Sequence, residues 1–265
     1  MLGRLAHAIS LPAMAISWNG RFRIFTLLML RALPRKVRDA ADFVSLSRRM
    51  LRDVTVKVDG LAYRPLDFES LAIISNHFEP WLKPLLKFEE GSVVIDVGAH
   101  IGKYTVLAAN HVGHSGHVVA IEPNPENFKQ LLLNIKLNHV ENVSVFNVAA
   151  WNENTELTLF VGDRAGHHTI KRNFGLGGTK VEARTIQSIA KELGLSRVDL
   201  IKIDVEGSEC EVLSGLTEIL GCTRTIVSEV LSDNMPVVQA FAKQRNLSFV
   251  KIHSEQNVNY VALLS

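Results

Sequence analysis

A chain of 265 residues, 47% hydrophobic and 21% charged, has length for one complete α/β domain with an extension and too little for two domains of ordinary size. Its formal net charge of +2 supplies no general field for a polyanion, which counts against a basic-surface nucleic-acid binder. Cys210 and Cys222 lack the Cys or His spacing of a zinc site, so no metal is expected, and they read as reduced core thiols in a cytoplasmic setting.

Seven basic residues, Arg4 through Arg38, precede the first acid, Asp39. The apolar run 22–33 falls short of a span of about 20 residues and contains Arg23 and Arg31, so no transmembrane helix is expected. Residues 13–15 have the small side chains of a signal-peptidase site, but His7 and Pro12 interrupt the apolar stretch before them and secretion is not expected. Two readings of residues 1–38 stay open: a helix packed on the catalytic domain and capping its site, or an amphipathic helix on an acidic membrane surface or partner, which would make the protein membrane-peripheral.

A helical pattern covers 36–50. Val54, Val56 and Val58 then alternate with polar residues up to Asp59-Gly60, which predicts a hairpin with 61–65 as its return strand. These elements make up an extension over residues 1–70, and the main domain runs 71–265. Glu79-Pro80 has the form of a helix start, with Glu79 either at a helix dipole or facing a ligand.

The stretch 93–105, VVIDVGAHIGKYT, organises the remainder. An apolar strand ends near Asp96, Gly98 and Gly102 allow a tight turn and close approach of a ligand, and Tyr104 opens a helical stripe with Leu107, Ala108 and His111. The spacing is not the G-x-G-x-x-G of a dinucleotide fold. Asp96 before the first glycine is awkward for a phosphate and suits a ligand carrying an amine or sulfonium. A second apolar strand ends in Glu122, twenty residues past Gly102, where a carboxylate can accept both hydroxyls of a ribose.

Short apolar strands at 93–97, 117–122, 143–147, 198–204 and 223–230 alternate with helices, which predicts a doubly wound, mostly parallel α/β sheet. Asn124-Pro125 is a helix N-cap with Pro at the first position, and Ser208 to Glu211 has the pattern of a capping box. Segments 248–252 and 257–264 are too close for a crossover and form an antiparallel hairpin. Residues 150–184 break the alternation with strands at 157–161 and 180–184 around a glycine-rich loop, an insertion expected to lie over the substrate pocket and to carry His167-His168.

VVIDVGAHIGKYT, AIEPNPENF, VSVFNVAAW and VDLIKIDVEGSECEVL, in this order, resemble the motif set of S-adenosylmethionine-dependent methyltransferases of the FkbM type, from about Leu71 to Val230 and more loosely to the C-terminus. The resemblance implies a seven-stranded Rossmann-like methyltransferase sheet closed by the C-terminal hairpin, and S-adenosyl-L-methionine as cofactor. It also makes Glu79 a cofactor-facing acid. One departure is Thr185-Ile-Gln-Ser188, where such proteins often have Thr-Leu-Asp-Asp.

On that pattern the cofactor-binding set is Glu79, Asp96, Gly98, Gly102, Tyr104, Glu122, Asn147 and Ala149. Tyr104 either reaches the methionine carboxylate or packs, and Asn147-Val148-Ala149 offers an amide and small side chains to the adenine. Trp151 either stacks or belongs to the core. Asp204 and Lys202 alternate onto one face of the fourth strand, Glu206 follows in the turn, and Glu229 ends the fifth; with His168 these acids are the catalytic candidates. The competing reading of Asp204 and Glu206 is a structural one, tying the turn to backbone N–H groups and Lys202. The expected activity is O-methylation of a hydroxyl on a small-molecule or glycan acceptor. Alternatives are an RNA or N-methyltransferase, against which stand the near-neutral charge and the lack of an Asn-Pro-Pro-aromatic motif, and a non-catalytic cofactor-binding module.

Overall fold

The computed structural model describes residues 10–40, 42–86, 88–160, 162, 168–173, 175–255 and 257–265. The extension supplies helices α1 (Trp18–Arg31), α2 (Arg35–Ala40) and α3 (Phe43–Leu51), then the hairpin β1 (Val56–Val58) and β2 (Leu61–Tyr63) with Asp59 and Gly60 at positive φ in its turn. The single helix expected over 36–50 is broken. Asp42 adopts φ 43° and uses its carboxylate to cap α3, accepting from Ser45 N–H, so the pattern is split by its own cap. Helix α4 (Phe68–Ile74) follows, capped by Asp67, and straddles the 70/71 division.

From Val93 the main sheet is laid down: β3 (Val93–Val97), α5 (Lys103–Val112), β4 (His117–Ile121), α6 (Pro125–Leu137) and β5 (Val143–Phe146). A three-stranded insertion comes next, β6 (Ala149–Ala150), β7 (Thr155–Phe160) and β8 (Gly178–Arg184), paired in the order β6-β8-β7. The chain returns through α7 (Ile186–Glu192), β9 (Leu200–Ile203), α8 (Glu209–Ser214), β10 (Thr225–Leu231) and α9 (Met235–Gln244) to the hairpin β11 (Ser248–Glu255) and β12 (Val258–Leu264). The seven strands lie in the order β11-β12-β10-β9-β3-β4-β5; the first five in sequence are parallel, and β12 runs antiparallel to both its neighbours. This is the expected doubly wound α/β sheet. Strand order reverses between β3 and β9, and at such a switch point the carboxyl ends of the strands leave a crevice.

Period-two alternation sends successive side chains into different layers. Val94, Val118, Leu200 and Val227 belong to one buried cluster, and Ile95, Val119, Ile201 and Ile226 to another. The extension completes the first layer, because Ile24, Leu27, Leu51 and Val56 are fully buried in the same cluster as Val94. Ala15, within the stretch resembling a cleavage site, is also buried there and bridges to Val56.

Two local expectations fail. Glu79-Pro80 begins no helix: Glu79 has φ 50° and residues 79–85 form successive turns, with Leu82 N–H bonding Glu79 C=O and Pro84 unable to donate. The capping box at Ser208 does not form. Ser208 adopts φ −99° and ψ 16° instead of an extended cap, its Oγ is buried without a partner, and Glu211 pairs with Lys171. Glu209 takes over, accepting from Gly207 N–H at 2.7 Å and Asn234 Nδ2 at 2.8 Å.

Because extension and sheet share one apolar layer, Ile24→Ala is expected to lower the unfolding free energy by about 2–5 kcal/mol while urea unfolding stays a single transition. Two separated transitions would mean that residues 1–70 fold apart from the sheet.

Candidate functional site

The parallel register places the site. Val97, Ile203 and Ser228 are neighbours across β3, β9 and β10, so Gly98, Asp204 and Glu229 follow side by side at the carboxyl edge. Glu122 continues the row past Ile121 on β4, and Tyr260 of β12 stands opposite Glu229. Here lies a cavity of about 330 Å³. Phe78 and Glu79, after α4, line one wall; His168, Thr169 and Ile170 of the insertion line another. Thr169 anchors that wall by donating its hydroxyl to Glu206 C=O at 2.8 Å.

Of the residues singled out in the sequence, Glu79, Gly98, Tyr104, Glu122, Ala149, His168, Asp204, Glu206 and Glu229 line this cavity. Asp96, Gly102 and Asn147 lie outside its lining. Asp96 accepts from Thr105 Oγ1 at 2.6 Å beneath the turn. Gly102 is the N-cap of α5 with φ 89°, and a Cβ there would come 2.6 Å from Leu131 of α6. Asn147 spends its amide on the chain after Glu122, donating to Glu122 C=O at 2.8 Å and Pro123 C=O at 3.1 Å. Ala149 and Ala150 line the cavity with small side chains, and Ile121, Pro123 and Asn127 line it too. Trp151 packs with Leu159 and Val181 in the insertion's own cluster. His167 lies outside the described residues.

Gly98 is required by the protein itself, since a Cβ at its φ of 78° would meet Asp204 C=O at 1.8 Å. Asp204 N–H donates to Val97 C=O at 3.1 Å, so the two turns press together at the switch point.

Glu122 is buried and accepts from His100 N–H at 2.8 Å, Asn124 N–H at 2.9 Å and, at 3.4 Å, Asn127 Nδ2. Burial outweighs these donors and pushes its carboxyl up to about 7. On the far side, Lys202 Nζ lies 3.2 Å from Asp204 and 3.6 Å from Asp96. Burial would strip its proton, but the carboxylates of Asp204, Asp96 and Glu79 prevail and raise its pKa. Glu206 is raised to about 8 by burial and by Asp204, and Glu229 well above the usual carboxyl range by the same causes.

Three contributors, Tyr260, Lys103 and His100, escaped sequence reasoning. Tyr260 and Tyr104 both donate to Glu79, to Oε1 and Oε2 respectively, each at 2.8 Å. Burial raises Glu79, and the two phenols hold it despite its positive φ. Lys103, buried beside the rings of Phe78 and Tyr104, donates to Ser75 and Phe78 C=O and is lowered to about 8 by burial. His100, lowered to about 4 by burial, is a neutral imidazole whose Nε2 has no protein partner. Only His100 and Lys103 had a local signal, their place in the glycine turn. Among the described residues no three His, Cys, Asp or Glu side chains are grouped to hold a metal ion, and both cysteines are half-buried free thiols.

A model of the methyltransferase FkbM domain matches residues 96–249. Curated proteins similar to the chain include methyltransferase 1 of Beauveria bassiana, 27% identical over 49% of this chain and 61% of that protein. The 31-O-demethyl-FK506 methyltransferase FkbM of Streptomyces tacrolimicus is 28% identical over 52% of this chain and 64% of its own. The hexuronic acid methyltransferase AglP of Haloferax volcanii is 25% identical over 54% and 57%. The chain thus spans about three-fifths of the length of these relatives.

The raised carboxyls fix the sign of a pH effect. A carboxyl raised by folding stabilises the fold fully below its ordinary value of 4.5, and that contribution is lost as pH rises through about 7 for Glu122 and about 8 for Glu206. The thermal midpoint of the ligand-free protein is expected to fall between pH 5 and 8, Glu122 accounting for roughly 3 kcal/mol. Glu122→Gln is expected to flatten that slope; an unaltered slope would mean that Glu122 is ionised throughout.

Proposed function

This chain belongs to the FkbM methyltransferase family, and we propose that it moves a methyl group from S-adenosylmethionine to a hydroxyl of a small molecule or glycan precursor. The observation that carries this reading is the separation, across one switch point, of a ribose-suited carboxylate at Glu122 from a cluster of acids at Asp204, Glu206 and Glu229. The cavity's donor set fits the cofactor. Glu122 keeps lone pairs beyond those given to His100 and Asn124, and His100 Nε2 and Ser208 Oγ are buried polar atoms on the cavity wall with no protein partner.

Bound there, the cofactor supplies a methyl group already activated by a positive sulfur. The chain's own work is to hold, dry and deprotonate the acceptor. Asp204, ion-paired to Lys202 and with 30% of its side chain open, takes the hydroxyl proton at a carboxylate oxygen. Glu206, raised to about 8 by burial and by Asp204, donates a hydrogen bond to another acceptor oxygen, and Glu229, raised by the same causes, lines the same wall. A wall that alternates acceptors with donors suits a polyhydroxylated molecule. Tyr104 and Tyr260 fix Glu79 on the near side, and the insertion with His168 closes the far side. Two relatives point the same way, one named for a 31-O position and one for a hexuronic acid. The net charge of +2 stands against a nucleic-acid acceptor.

Replacing Asp204 by Asn keeps shape and removes the base. Turnover is expected to fall ~10²–10⁴-fold with cofactor affinity changed less than about tenfold; loss of cofactor binding together with early melting would make Asp204 structural. Glu122→Gln is expected to weaken cofactor binding by roughly 1–3 kcal/mol in calorimetry, and unchanged affinity would remove the ribose assignment. For the acceptor, label transferred from methyl-labelled cofactor to glycan and small-molecule fractions is expected to resist mild alkali as a methyl ether. Alkali-labile label would point to a carboxyl acceptor instead.

A further inference from the structure

Helix α1 carries two apolar faces, and the fold uses one of them. Gly20, Ile24 and Leu27 face inward and are buried, Ile24 and Leu27 among the large side chains of the first layer. On the other side Trp18, Phe22, Phe25 and Met29 are 82, 69, 51 and 53% exposed. With 3.6 residues per turn these four fall within an arc of about 60°, opposite the buried stripe. Exposed Ile16 precedes them, and exposed Leu33 and Val37 continue beyond the helix. Four large side chains in a row on the water side are not scattered surface apolars; a contiguous patch of this kind marks an interaction surface.

The chain that carries the patch is basic, and the first acid after it, Asp39, pairs with Arg35. Residues 10–38 contain no acid and six bases, Arg21, Arg23, Arg31, Arg35, Lys36 and Arg38. The Arg21 guanidinium lies 4.9 Å from the Trp18 ring centre, a pairing of amphipathic ring and cation that belongs at a headgroup boundary. We propose that this face docks on an anionic lipid bilayer, with α1 lying in the plane of the interface. The apolar stripe enters the acyl boundary and the bases meet lipid phosphates.

Alternatives fit less well. A second copy would set one basic apolar face against another, bringing like charges together. At 14 residues α1 is too short to cross the hydrocarbon, and no described helix is long and apolar enough to do so. A nucleic acid would meet the bases and leave Ile16, Met29, Leu33 and Val37 in water. The proposal is independent of the acceptor's identity, since the stripe lies on the extension and lines no part of the cavity.

Vesicle flotation of the full chain at low salt tests it, comparing phosphatidylcholine alone with an equal mixture of phosphatidylcholine and phosphatidylglycerol. The protein is expected to float with the mixture and to be released by salt. Phe22→Glu with Phe25→Glu, and separately Arg31→Glu with Lys36→Glu, are each expected to lower the bound fraction about tenfold or more with the thermal midpoint kept, because these side chains are at the surface. Failure of the full chain to bind the mixture, equal binding to phosphatidylcholine alone, or undiminished flotation of the Phe22/Phe25 variant would overturn the proposal. So would a concentration-dependent dimer in sedimentation, abolished by Phe22→Glu with Phe25→Glu, in a chain that does not float.

Discussion

The ammonium of Lys202 is the interaction on which the site depends. It is buried in the middle of the sheet, where an unpaired charge would be untenable, and it is held by Asp204 at 3.2 Å and Asp96 at 3.6 Å. The pairing is built into strand register, because Asp96 and Lys202 are direct partners across β3 and β9. A slip of one residue would turn Lys202 to the other layer and leave Asp96 facing apolar side chains. One buried cation also serves more acids than it can neutralise. Burial, with Asp204 close by, raises Glu79, Glu206 and Glu229 above the ordinary carboxyl range.

Backbone contact carries the same constraint outward. Gly98 and the Asp204 carbonyl leave no space for a Cβ, so the turns after β3 and β9 are locked edge to edge. Glu122 is fastened to the first of these turns through His100 N–H, and Asn147 clamps the chain just past it. Glu122 and the acid cluster are thus set by sheet geometry, and further lining of the pocket comes from outside the sheet, from the turn at Phe78 and Glu79 and from the insertion at His168 to Ile170. The extension supports this arrangement from beneath by completing the apolar layer behind β3, β4 and β9.

What was legible in the sequence was what local pattern dictates. The five parallel strands, the closing hairpin, the Asn124 cap and the place of Glu122 follow from apolar runs, turn residues and spacing. What was not legible depends on partners far along the chain. Tyr260 reaches Glu79 across 181 residues, and no motif near either one announces it. Glu79 looked like a helix start because its neighbours are local, while the two tyrosines that hold it in a left-handed turn are remote. Asn147 was placed toward the adenine because it ends a strand, yet backbone carbonyls after Glu122 satisfy its amide first. Gly102 looked like a ligand approach and is also a helix packing contact against Leu131. At 36–50 the hydrophobic period was right and the break at Asp42 was invisible, since an acid at a helix surface and an acid at a cap have the same sequence appearance.

The most direct measurement is a crystal structure of the chain with S-adenosylhomocysteine. The carboxylate of Glu122 is expected within hydrogen-bond distance of both ribose hydroxyls, with the adenine beside Ala149 and Ala150 and the sulfur facing the open space before Asp204. A cofactor whose ribose lies against Asp204 or Glu229, or whose sulfur points away from the acid cluster, would contradict the assignment of both ends of the pocket.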